Sequence, residues 1–162
     1  MAKVASDEHG LRDFLRKKKE ETSSSRDVDW DAKRDDWVSS VERLYEFLKG
    51  TLLKDLIEDK TVEDSTELKQ LAEEHIGTYT VPELTLKIGG EKVVFSPKGV
   101  TVIGAAGRVD LRGDRDTVTL VREKGQDGHA DKWHVIVQRT PSIKSQPLDA
   151  DSLKWALERV ML

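Results

Sequence analysis

Apolar residues in this chain follow two different periods. Trp30, Trp37, Val41, Leu44, Tyr45, Leu48 and Leu52 recur at steps of three, four and seven. At 3.6 residues per turn they fall on one stripe, which predicts an amphipathic helix. Asp29 or Asp31 is placed to cap it. Gly50 interrupts the pattern, predicting a break before a second piece through Leu52, Leu53, Leu56 and Ile57. Residues 65–75 read as helix through Leu68, Leu71, Ala72 and His75, although a first strand is also compatible with the sheet pattern after Ile76.

After Ile76 the period changes to two. Strands are predicted at Glu83–Ile88 and Lys92–Ser96, around a Gly89-Gly90 hairpin, then at Val100–Gly104, Arg108–Arg112, Thr117–Glu123 and Lys132–Arg139. No helix-length segment separates them, so parallel crossovers have no room and the sheet is expected to be antiparallel. Asp149 caps a final helix carrying Leu153, Ala156, Leu157, Val160 and Met161. The fold class is therefore α+β: N-terminal helices, an antiparallel meander of five to six strands, and a C-terminal helix. The expected core is Trp37, Val41, Leu44, Leu48, Val109, Leu111, Val118, Leu120, Val135, Val137 and Leu157.

Charge divides the chain of 162 residues further. Residues 1–28, with the run Arg16–Glu21 and the polar stretch Thr22–Arg26, read as a flexible arm with a short helix near 7–20 anchored by Leu11, Phe14 and Leu15. Residues 29–162 read as one domain: helical over 29–75, sheet over 76–140, helix over 149–161. The net charge of −4 argues against nonspecific binding to nucleic acid. The absence of cysteine excludes disulfides, thiolate metal sites and thiol catalysis. No apolar run reaches the length of a membrane span, and the N-terminus carries no apolar signal segment. A cytoplasmic protein without membrane attachment is expected.

One stretch imitates a cofactor site. Val100–Ile103 leads into Gly104-Ala105-Ala106-Gly107, which resembles the glycine turn of dinucleotide-binding enzymes such as some malate dehydrogenases. Asp110 stands where that motif needs a third glycine, and period-two sequence stands where it needs a helix. The expectation is a glycine-hinged bend between strands, with no cofactor. His129, Asp131 and His134 are close in sequence, but a solvated loop explains them better than a metal centre. No nucleophile motif is present, so the chain is read as non-catalytic.

Two surface sets remain. Arg108, Asp110 and Arg112 alternate onto one face of their strand, extended by Thr117 and Thr119 on the next. This set is a candidate anion or ligand patch, and otherwise a charge ladder on a solvated face. Val94, Ile103, Val121 and Ile136 share that mostly polar face and are the interface candidates. The leading functional expectation is a protein-interaction domain, with a protein partner or a homodimer. A nucleic-acid or anion-binding module built on Arg108–Arg112 and the basic arm is the alternative, and an enzyme of unrecognised type the third.

Overall fold

The computed structural model describes residues 10–19, 28–100, 106–123 and 131–162. The chain falls into two compact units, Met1–Trp30 and Asp31–Leu162. In the first, helix α1 covers 10–19, and Leu11, Phe14 and Leu15 on it are exposed. The second holds the remaining elements: α2 (Trp30–Phe47, entering from the boundary), α3 (Lys54–Glu58), seven strands and α4 (Ala150–Val160).

Helix α2 buries Trp37, Val41, Leu44 and Tyr45, with Leu48 continuing the stripe, as the 3.6-residue spacing dictates. Burial of each such side chain contributes roughly 1.5–3 kcal/mol. At Gly50 the α-helical ladder widens into a π-turn over Leu48–Leu52, and α3 comes next. Glycine weakens the helical bond pattern there, so the kink coincides with the residue that predicts it.

The strands are β1 (Val62–Glu73), β2 (Gly77–Ile88), β3 (Glu91–Gly99), β4 (Arg108–Arg112), β5 (Thr117–Glu123), β6 (Lys132–Gln138) and β7 (Lys144–Pro147). They pair antiparallel in sequence order. The fold is α+β as expected, but the sheet has seven strands, not five or six. Two strands account for the difference. The helical reading of residues up to 75 is overturned by β1, which pairs with β2 from Val62 to Glu73. β7 is four residues long and exposed throughout. Both are edge strands: β7 is exposed throughout, and β1 turns only Val62, Lys69, Leu71 and Glu73 inward, too few and too polar to reveal a strand. Val100 lies just beyond β3, and residues 101–105, which held the rest of the expected Val100–Gly104 strand, fall outside the described residues.

The core joins the α2 stripe to Leu84, Leu86, Val93, Phe95, Val109, Leu111, Val118, Leu120, Trp133 and Val135. Val137 and Leu157, expected within it, are only partly buried and pack against its rim. α4 closes the core with Leu153, Ala156 and Val160. It starts from a reciprocal cap, in which the Asp149 carboxylate accepts from the Ser152 amide and the Ser152 hydroxyl accepts from the Asp149 amide. Gly107 has a φ of +150°, and a Cβ there would stand 2.1 Å from the Trp37 ring. That residue of the imitation cofactor motif is small because an indole packs on it.

The meander has one discontinuity. β2 and β3 pair from Ile88 and Glu91 only as far as Leu84 and Phe95. Beyond that, β2 stays with β1 while β3 stays with β4. The Tyr45 hydroxyl sits in the fork, 2.8 Å from the Pro82 carbonyl and 3.1 Å from that of Phe95. Its single hydrogen is shared between carbonyls of the two parted strands. Burial pushes the phenol's pKa well above its ordinary value.

Candidate functional site

Three charged or apolar features surround this frame. The first contains the residues singled out by strand alternation. Arg108 Nε and Nη2 donate to the two carboxylate oxygens of Asp110 at 2.8 and 3.1 Å. That bidentate bond raises the guanidinium pKa further. The Thr119 hydroxyl, cross-strand from Asp110, donates to the same carboxylate at 3.3 Å, and Arg139 donates to Thr119. Arg108, Asp110 and Thr119 thus form one chain of hydrogen bonds. Arg112 and Thr117 face each other in register but stand outside it, exposed. The expected solvated ladder is corrected in one respect: Asp110 and Thr119 are buried. The Arg108 and Arg139 side chains bond to them from the solvent side, so the row is roofed by its own cations.

The interface candidates share this sheet. Val94 lies opposite Arg112, Val121 lies between Arg108 and His134, and Ile136 faces Ser145. Each is half-buried and has at least one polar or charged cross-strand neighbour. Ile103 lies outside the described residues.

Beside this row is a cluster that the sequence did not single out. Lys69 of β1 reaches across the fork to β3, donating to the Ser96 hydroxyl at 2.7 Å and lying 3.5 Å from the Pro97 carbonyl. Glu83 is 3.8 Å from the same ammonium. Ser96 is fully buried. Partial burial of Lys69 lowers its pKa, repulsion from Lys98 and Arg112 lowers it further, and Glu83 opposes both.

The second feature is an ion network under α2. Arg122 occupies a core position on β5, two residues after Leu120, and is 2 % exposed. Its guanidinium donates to Asp131 at 2.9 and 2.7 Å and to Asp36 of α2 at 2.8 Å. Arg43, one helical stripe further on, donates to the other Asp131 oxygen at 2.7 Å. Burial alone would raise the Asp131 pKa, but the hydrogen bonds and charges of Arg43 and Arg122 outweigh it and hold the carboxyl below its ordinary range. Two cations meet two carboxylates, and the set is neutral.

The third feature is a cavity of about 640 Å³ between the C-terminal half of α2 and the β6–β7 edge. Leu44, Phe47, Trp133, Pro147 and Leu148 form its apolar wall, with Arg43 and Asp131 at its rim. Trp133 is itself held by Trp37, with ring centroids 6.1 Å apart.

Of the histidine set, Asp131 is committed to the two arginines, His134 pairs with Glu123 at 2.9 Å, and His129 lies outside the described residues. Among the described residues no helix is long and apolar enough to cross a membrane. Comparison with protein-family models, curated proteins and solved structures finds no match to this chain.

Proposed function

We propose that this chain is a non-catalytic binding domain that acts through contact with another protein. The partner enters as an extended segment along β7 and places an apolar side chain in the cavity beside Phe47. The cavity is the observation that carries the reading: its size lies in the range of ligand pockets, and its wall is apolar and aromatic. β7 supports the extended form. It ends the strand order, so its outer side offers unpaired amide and carbonyl groups next to the cavity mouth. Trp133 is fixed by its neighbours while Phe47 is partly exposed, which gives one rigid and one adaptable wall. A cysteine-free sequence suits the reducing cytoplasm, which is the proposed setting.

Selection from a displayed random-peptide library tests it. Enriched peptides should carry an apolar anchor and bind Phe47→Asp at least roughly tenfold more weakly, the order expected for losing one buried anchor. Enrichment no better than background, or peptides indifferent to Phe47→Asp, would reject it. Self-association through Val94, Val121 and Ile136 is the less supported proposal, because the register sets each beside a polar or charged residue. Sedimentation of the wild type against Val121→Lys separates it from the peptide reading.

A further inference from the structure

Where β2 leaves β3, charge accumulates on one side of the sheet. Lys69 comes from β1, Ser96 and Lys98 from β3, and Arg112 from β4. Lys98 and Arg112 act on Lys69 as repulsive neighbours, so three cations share one field. Glu83 is the carboxylate beside them, and Glu67, its cross-strand partner on β1, borders the site on the far side. Arg108 contributes nothing to this excess, since Asp110 neutralises it. Lys98 and Arg112 are exposed, and among the described residues no ion pair ties either of them. Three cations outnumber the carboxylate paired with them, and that excess raises the energy of the free protein until an anion offsets it.

We propose that the fork between β2 and β3 is a binding site for a small, multiply charged oxyanion of the phosphate class, held by Lys69, Lys98 and Arg112 above the Ser96 hydroxyl. Ser96 accepts a hydrogen from Lys69, which leaves its own hydroxyl hydrogen free of that bond. It is a fully buried polar group on the fork floor, with a cation already placed over it. Arg112 supplies the planar fork that pairs with two phosphate oxygens, and the lysines supply point charges.

Size favours a small ligand over a polymer. The Lys69 ammonium reaches Ser96 on β3, Lys98 is on the same strand and Arg112 stands on the adjacent β4, so the charges gather over two neighbouring strands about 5 Å apart, which suits one or two phosphoryl groups. A nucleic-acid strand needs a longer basic track and meets a chain of net charge −4. Residues 31–75, which include β1, carry seven basic against thirteen acidic residues.

The site is independent of the peptide cavity, and inorganic pyrophosphate is the probe. Calorimetric titration at low salt should saturate, and the amide resonances of Ser96, Lys98 and Arg112 should move together. Arg112→Gln should weaken binding roughly tenfold or more, as expected for losing a charge-assisted bidentate contact. Lys154→Gln, on the exposed face of α4, should leave binding unchanged. Arg112 is exposed, so its variant keeps the fold, and circular dichroism verifies that. No saturation, or equal losses from Arg112→Gln and Lys154→Gln, would overturn the site. A single-stranded oligonucleotide whose affinity climbs with length and exceeds that of pyrophosphate would overturn the small-ligand assignment in favour of a polymer.

Discussion

Two charged clusters border the same sheet and differ in their charge balance. Beneath α2, Arg122 and Arg43 meet Asp36 and Asp131, cation for carboxylate, with Arg122 sealed in the core. At the β2–β3 fork, Lys69, Lys98 and Arg112 meet one close carboxylate, Glu83. The first cluster is saturated: every charge in it has a partner at hydrogen-bond distance, and its members come from α2, β5 and the start of β6. It fixes the helix to the sheet. The second is unsaturated and opens to solvent: Lys69 ties β1 to Ser96 of β3, while Lys98 and Arg112 are exposed. Buried charge is tolerated only when paired, so balance marks architecture, whereas an excess marks a place where something else can supply the counter-charge.

That contrast orders the expected effects of substitution. Arg122→Ala should be the most damaging, because it leaves Asp131 with Arg43 alone and empties a buried volume; a loss of about 2–5 kcal/mol is expected in urea unfolding. A loss under about 1 kcal/mol, within the range of a surface substitution, would mean that the network holds nothing. Gly107→Ala comes next. Its methyl group would enter the space of the Trp37 ring at a φ that side chains rarely adopt, so a loss of about 1–3 kcal/mol is expected from the same measurement.

Acid acts on the balanced cluster in a defined direction. Asp131 has a folded pKa below that of the unfolded chain. Its contribution is therefore complete above the ordinary carboxylate value of about 4 and is lost as pH falls through the folded value. Asp131→Asn should destabilise the protein near neutrality and reduce the further loss as pH falls below about 4. Unfolding curves of the variant and wild type that stay parallel across that range would show that Asp131 contributes nothing to the acid response.

The smallest effects are expected at the fork. Lys98→Gln and Arg112→Gln each remove an exposed cation that has no ion pair among the described residues. Each should change stability by no more than about 0.5 kcal/mol, as ordinary surface substitutions do.

The two clusters also differ in how far the chain's pattern reveals them. β4 and the first half of β5 keep their alternation from Arg108 to Arg112 and from Thr117 to Leu120, because one face of each packs against the core. The α4 cap at Asp149 is legible because capping is local in sequence. β1 is not legible: Glu63, Ser65, Glu67 and Leu68 are all exposed, and its partly buried end alternates a lysine and a glutamate with one leucine, so no apolar period shows. That single difficulty hides Lys69, and with it the fork. Arg108, Asp110 and Thr119 come together as alternation predicts, but Ser96 gains its meaning only from a lysine twenty-seven residues earlier that crosses a gap between strands. Arg122 carries a signal of another kind. It shares strand parity with the core residues Val118 and Leu120, and a cation at a core position requires buried acids. Asp131 follows nine residues later but beyond the end of β5, and Asp36 stands 86 residues earlier, so pattern indicates that partners exist without saying which.

If the balanced cluster holds the fold while the unbalanced one is left to bind, the two must respond differently to an added anion. Urea unfolding with and without pyrophosphate, for the wild type and for the pair Lys98→Gln plus Arg112→Gln, tests both halves at once. Pyrophosphate should raise the wild-type midpoint, since a ligand of the folded state stabilises it by mass action. The double variant should match the ligand-free wild type and show no rise. A midpoint unmoved by pyrophosphate, or a double variant as unstable as Arg122→Ala, would contradict this division of roles.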